Sequence, residues 1–276
     1  APAAGRARIV GLTGAPGVGK STTTSALTAE LRKRGRTVAV LAVDPSSPFS
    51  GGALLGDRVR MQDHATDPGV FIRSMASRGH LGGLSWATPH ALRVLDAAGF
   101  DTVLVETVGV GQAEVDIAGH ADTTVVLAAP GMGDGIQAAK AGVLEIADVF
   151  AVNKADREGA RATVRDLRQM VAMAERETGE WKPPVASTVA ATGEGIDELL
   201  DHLDKHAEYL RTSGLLARRR RARAREEVEA IAMRALRERL ADVHGHDALD
   251  RLADEVVAGS DPYTAADSLL KALNGA

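Results

Sequence analysis

Up to about residue 211, short runs rich in valine and isoleucine alternate with longer stretches whose apolar side chains return every three or four positions. The short runs are apolar nearly throughout, as in Val38-Ala39-Val40-Leu41-Ala42-Val43. That pattern suits strands buried on both faces of a parallel sheet. It predicts strands near 8–13, 37–43, 70–73, 102–106, 123–129, 148–152 and 184–189, with helices near 20–34, 84–98, 136–145, 158–177 and 194–211. The expected fold is α/β, a doubly wound and mostly parallel sheet over residues 1–211, with ligands at the carboxyl ends of the strands. After Ser213-Gly214 no strand pattern returns. Val228, Ile231, Ala232, Ala235, Leu236 and Leu240 recur at helical spacing, and shorter helices are expected near 247–258 and 262–273. Residues 212–276 are therefore read as a C-terminal helical arm. An apolar stripe with no sheet to cover needs a partner surface, and a two-fold homodimer is the expected solution.

Composition narrows the setting. The chain has 276 residues, 45% of them hydrophobic, enough for a sizeable core. Its net charge of −4 gives no basic field for nucleic acid. With no cysteine, disulfides, thiolate nucleophiles and Cys-ligated zinc are excluded, and a reducing cytosol fits. The apolar runs are too short to cross a bilayer, and the opening APAAGRAR has no apolar h-region. A cytoplasmic protein without membrane or nucleic-acid partners is expected.

The chemistry begins after the first predicted strand. Gly14-Ala15-Pro16-Gly17-Val18-Gly19-Lys20-Ser21, followed by Thr22, matches G-x-x-x-x-G-K-S between a strand and a helix. Glycines let backbone N–H groups turn toward phosphates, and the helix N-terminus adds its dipole. Lys20 can reach the β and γ phosphates, and the Ser21 hydroxyl can ligand Mg²⁺. The loop does not choose a base. Asn153-Lys154-Ala155-Asp156, N-K-x-D at a strand end, does so. The Asp156 carboxylate can accept from guanine N1–H and the 2-amino group together, whereas adenine presents an unprotonated N1 to it. Asn153 either binds the base edge or ties loops together, and the stem of Lys154 can cover the ring. Ser187 to Thr192, including Ala190 and Ala191, follow the last strand as a backbone lid over guanine O6.

Acidic groups then gather at neighbouring strand ends. Asp44 closes the second strand, where it can act on Mg²⁺ directly or through water. Residues 45–56 are rich in Gly, Ser and Pro, and Asp57 follows; ordering such a loop can be left to the γ phosphate. Glu106 stands where such strands usually end in aspartate, and its extra methylene lets it reach the metal's water shell or the attacking water. Gly109 and Gly111 allow the segment after it to move, and Gln112 either orients water or is a surface amide. Lys20, Asp44, Asp57 and Glu106 form the candidate catalytic set; Ser21, Asp44, Asp57 and Glu106 form the candidate metal set.

The segments GAPGVGKST, VDPSS, RSMASRGHLGG, VETVGVGQAEVD, PGMGDGIQAAKAG, EIADVFAVNKAD and ATGEGIDEL together resemble the MeaB family, which includes proteins named ArgK and the methylmalonic aciduria type A protein. The resemblance runs from about residue 8 to 211. It implies a P-loop GTPase that chaperones an adenosylcobalamin-dependent acyl-CoA mutase, such as methylmalonyl-CoA mutase, gating its cofactor loading and protecting it. It also implies GTP/GDP and Mg²⁺ as ligands, cobalamin adenosyltransferase as a further partner, and hydrolysis that is slow without the partner. The loop after Glu106 resembles a switch II, and the stretch containing Asp134 and Lys140 a switch III. The resemblance also implies a helical lead-in before the first strand; with only 13 residues before Gly14 here, either the chain is trimmed or what that lead-in contributes to dimer contacts is missing.

Other features point less far. The arginine run from Arg218 to Arg225 lacks interleaved aromatics and is followed by Glu226, Glu227 and Glu229, so it reads as a solvated or partner-facing helix. His202 and His206, four apart with no third ligand near, read as a surface pair rather than a metal site. Met170 and Met173 read as core or partner surface. Two rival functions remain: a nickel-delivery maturation GTPase, which should carry Cys/His ligands that this chain lacks, and an ATP-dependent transport-associated kinase, against which N-K-A-D speaks.

Overall fold

The computed structural model describes residues 5–44, 61, 64–76, 87–107, 113–131 and 143–274. Its elements are β1 (Arg8–Thr13), α1 (Lys20–Lys33), β2 (Val38–Asp44), β3 (Val70–Ala76), α2 (Ala87–Ala97), β4 (Thr102–Thr107), α3 (Ala113–His120), β5 (Thr123–Ala128), α4 (Val143–Ile146), β6 (Val149–Val152), α5 (Ala160–Met173), β7 (Val185–Ser187), α6 (Ile196–Thr212), α7 (Leu215–Val257) and α8 (Pro262–Asn274). The seven strands form one sheet in the order β3-β2-β4-β1-β5-β6-β7, with every pairing parallel. Each strand falls on one of the apolar runs. Strand order reverses at β1, which lies between β4 and β5. That is where an open α/β sheet splits to form a ligand crevice.

Side-chain alternation sorts the core into two faces. Val38 and Val40 of β2 pack with Leu27 and Leu31 of α1 and Leu199, Leu200 and Leu203 of α6. Ala39, Leu41 and Val43 of the same strand turn to the other face, with Leu92 and Leu95 of α2 and Ile117 of α3. Phe150 and Val152 of β6 meet Leu167 and Val171 of α5. Full burial of each Leu contributes about 2 kcal/mol, so the runs read as strands are also what holds the helices on.

The amino ends of the strands carry a polar network. Asp204 of α6 accepts from Arg8 Nη1 at 2.6 Å and from both terminal nitrogens of Arg36 at 2.7 and 2.9 Å. Asp122 pairs with Arg220, and Asp148 with Arg219, at 2.7 and 3.0 Å. Two members of the arginine run are thus structural ion-pair partners at the start of α7. His206 is fully buried, not a surface residue: its Nδ1 meets the Thr123 hydroxyl at 2.9 Å, and Trp181 lies against it at 4.8 Å between ring centres. Burial first, then the nearby guanidinium groups of Arg219 and Arg8, push its pKa down to about 4 against the pull of Asp148 and Asp122. His202 remains on the flank of α6, with Glu198 at 3.5 Å. Met170 packs against the α5 side of the core, whereas Met173 is exposed.

The chain divides into two compact units, Ala1–Arg220 and Arg221–Ala276. The second is helical. α7 runs unbroken through the stretch where a separate helix near 247–258 is expected from the pattern. No proline interrupts it, and one interior glycine, Gly245, costs only about 1 kcal/mol. α8 starts on a cap, the Asp261 carboxylate accepting from the Thr264 amide and hydroxyl at 2.9 Å each. α3 is an element that the apolar pattern misses: eight residues carry too few turns to show a period. Of the arm's stripe, Val228, Ile231 and Leu236 are exposed.

Candidate functional site

β1 leads straight into the phosphate loop. Gly14 takes φ +140°, and a Cβ there would sit 2.4 Å from the Leu127 carbonyl oxygen. Gly19 takes φ +96° as the N-cap of α1, and a Cβ there would sit 2.3 Å from Asn153 Nδ2. Both positions therefore require glycine, for the close approach as much as for the backbone angle. Val18 anchors the loop by burial in the core, while Pro16 and Gly17 stay exposed. α1 begins at Lys20, so its first amides and its dipole are turned toward the loop.

Lys20, Ser21 and Glu106 converge at the switch point of the sheet. The Lys20 ammonium, 7% exposed, donates to the carbonyls of Gly14 and Ala15 at 2.6 and 3.1 Å. The Ser21 hydroxyl donates to Glu106 Oε1 at 2.5 Å. Glu106 is in register with Leu12 of β1 and Ala42 of β2, and is 5% exposed. The longer side chain therefore reaches across from β4 to the start of α1. Thr107 donates to the Leu12 carbonyl at 3.4 Å and approaches Thr13 Oγ1 at 3.3 Å, fastening the end of β4 beside the loop. Asp44 closes β2 one strand over, its neighbour Val43 in register with Thr107.

The base loop is tied to the phosphate loop by two side chains, Asn153 and Lys154. Asn153, 3% exposed, donates Nδ2 to the Val18 carbonyl at 2.8 Å. Its Oδ1 accepts from the Ala190 amide at 3.0 Å and the Thr188 hydroxyl at 3.4 Å. Of the two roles open to Asn153, tying loops together is the one seen. Lys154 sits at φ +58° and donates its ammonium to the Gly17 carbonyl at 2.6 Å. Asp156 is exposed at the mouth of this loop. The lid is joined on too, as the Ala155 amide donates to the Thr188 carbonyl at 3.0 Å. Ser187 and Ala191 are exposed on it, and Ala190 is buried.

The structure thus brings together Gly14 to Ser21, Glu106, Asn153, Lys154 and the 187–191 lid. Thr22 is exposed on the first turn of α1. Asp57, Gln112, Asp134 and Lys140 lie outside the described residues. Thr188 falls within the stretch expected as the lid, but its bond to Asn153 and those of Thr107 escape sequence reading, because a threonine at a strand end carries no spacing signal of its own.

Three comparisons bear on this site. The family profile described as Methylmalonyl Co-A mutase-associated GTPase MeaB matches residues 1–244. A Pyrococcus horikoshii protein named as a GTPase is 51% identical over 277 residues, 99% of this chain and 87% of its own. GTPase ArgK of Escherichia coli is 38% identical over 254 residues, covering 91% of this chain and 76% of its own. Among solved structures, a LAO/AO transport system kinase superposes with a TM-score of 0.72 at 29% identity, covering 98% of this chain and 82% of that one. A phosphate loop fastened to an N-K-x-D loop, on a chain so matched, belongs to a GTPase of the MeaB family.

Proposed function

We propose that this GTPase binds GTP with Mg²⁺ and uses its hydrolysis to gate cofactor loading and protection of an adenosylcobalamin-dependent acyl-CoA mutase, methylmalonyl-CoA mutase being the first client to test. The observation that carries the nucleotide part is the Asn153 junction, which makes phosphate loop, base loop and lid one unit. A guanine held by the exposed Asp156 then lies at a fixed offset from phosphates held by Gly14 to Thr22. Support for the client comes from the description of the matching family, which associates its members with that mutase.

The residues present suit the ligands. Two hard oxygen donors, the Ser21 hydroxyl and the Glu106 carboxylate, meet at 2.5 Å beside the phosphate loop, the donor type that Mg²⁺ prefers. Ser21 and Glu106, with Asp44 and Asp57, would hold the ion, which would neutralise charge on the β and γ phosphates. Lys20 exchanges two carbonyl partners for phosphate oxygens, which are stronger acceptors. Asp44, Asp57 and Glu106 position the attacking water, a task that contact with the partner would complete. The arm pairs two chains, and a cobalamin adenosyltransferase is a further candidate partner.

The test is steady-state hydrolysis of GTP and ATP, alone and with purified mutase. Turnover of GTP but not ATP, rising on mutase addition, is the expected result. Asp156→Asn should shift preference from guanine to xanthine nucleotides, since the amide donates where the carboxylate accepts. Equal use of ATP would overturn the base reading, and no response to any acyl-CoA mutase would overturn the client.

A further inference from the structure

β6 is a short route between the two ends of the sheet. It has four residues, Val149–Val152, with Asp148 immediately before it and Asn153 immediately after. At about 3.3 Å per residue it is a strut of roughly 13 Å with no slack. Its upper end is the Asn153 junction. Its lower end is held just as closely: Asp148 Oδ2 accepts from the Thr124 amide of β5 at 2.8 Å, and the Asp148 carbonyl accepts from the Trp181 indole at 2.7 Å. The fork of Arg219 then closes on the carboxylate at 3.1 and 3.0 Å, while its Nη1 also donates to the Asp122 carbonyl at 2.9 Å. Asp148 is 10% exposed and Arg219 is 40% exposed, so the carboxylate end of the pair is buried while the guanidinium reaches it from the surface, and two parallel charge-assisted bonds fix geometry and not merely charge.

From this we infer that Arg219, at the root of α7, is a positioning residue for guanine-nucleotide binding, setting through Asp148 the axial placement of β6 and hence of Asn153, Lys154 and Asp156. The inference rests on the guanine reading above. A buried strand flanked by β5 and β7 moves as a body rather than bending, so a change of support at Asp148 appears at the base loop. Arg220, the next residue, provides the comparison. It grips Asp122, at the foot of β5, through Nε at 3.2 Å and Nη2 at 2.7 Å. β5 does not carry the base loop. Both arginines anchor the same turn of α7, but only one stands under the strand that ends in N-K-x-D.

The experiment compares Arg219→Ala, Arg219→Lys, Asp148→Asn and Arg220→Lys in the full chain. Melting curves confirm folding; the readouts are dissociation of a fluorescent GDP, KM for GTP and kcat. Arg219→Ala and Asp148→Asn should raise the GDP off-rate and the KM about tenfold with kcat within about twofold, the scale of coupling through packed networks. Arg219→Lys should fall between, because an ammonium keeps the charge and loses the fork. Arg220→Lys should leave binding within about twofold. Should Arg219→Ala fail to fold, Asp148→Asn, which retains an acceptor for Thr124, decides alone. Equal weakening by the Arg219 and Arg220 variants would reduce Arg219 to an anchor for the helix and overturn the inference. So would wild-type KM and off-rate in Arg219→Ala and Asp148→Asn. A wild-type protein that binds no guanine nucleotide overturns the function itself, an outcome distinct from either.

Discussion

Gly19 is constrained twice, by a left-handed backbone and by the Asn153 amide lying where a Cβ would be. Gly19→Ala should therefore abolish GTP binding in calorimetry and lower stability by about 1–3 kcal/mol, the usual cost of a strained backbone. Lys20→Ala, by contrast, should abolish turnover and keep the melting temperature within a few degrees, because the ammonium serves carbonyls of the loop and not the apolar core. His206 makes stability depend on pH. Its folded pKa, about 4, lies below the unfolded 6.5, so the unfolded chain takes up the proton first. Stability is fully present above pH 6.5, declines as pH falls toward 4, and loses about 3 kcal/mol over that window. Asp148, Asp122, Arg219 and Arg8 face the ring and act on its charge, and Thr123 and Tyr209 complete its surroundings. Denaturant unfolding between pH 4 and 7.5 should show this decline, and His206→Gln should flatten it.

Among elements, the junction of β7 and α6 is packed tightly beneath the 187–191 stretch. Gly195 caps α6 at φ +72°, and a Cβ there would press to 2.1 Å from the Ser187 carbonyl oxygen at the base of the lid. Gly195→Ala should displace the 187–191 backbone and weaken GTP affinity several-fold with little loss of helix α6, measurable by nucleotide titration beside circular dichroism. The seven strands were legible in the sequence for one reason: strands buried on both faces must be apolar almost throughout. Phosphate loop and base loop were legible because backbone and base chemistry demand particular residues at short spacing. What stayed hidden was long-range pairing of charges. Arg219 and Asp148 are 71 positions apart, and Arg8 and Asp204 are 196 apart, so no local pattern connects them. Arg219 and Arg220 looked like solvated members of a basic run because their partners lie at the feet of distant strands. His206 looked like a surface residue because a polar residue on an amphipathic helix usually is one. α7 was read as two helices because its apolar period lapses around Gly245, although no breaker stands there.

For the molecule as a whole, the exposed stripe of Val228, Ile231 and Leu236 should bring two chains together, and light scattering at micromolar concentration should give twice the chain mass. Ile231→Glu with Leu236→Glu should yield single chains that still bind GTP. If the mutase acts through the third switch, Lys140→Ala should keep basal turnover and blunt the stimulated rate, as read by hydrolysis with and without the mutase. The long helix also lends itself to direct measurement. With no native cysteine, every cysteine introduced is the sole target for a thiol label. Arg225 and Val257 are both exposed on α7, 32 residues apart, and at about 1.5 Å per residue a rigid helix separates them by roughly 48 Å. Spin labels at these two sites make the helix a molecular ruler. One narrow distance distribution would mark a stiff rod, whereas a broad or shortened one would reveal a joint at Gly245 and show whether nucleotide or partner stiffens it.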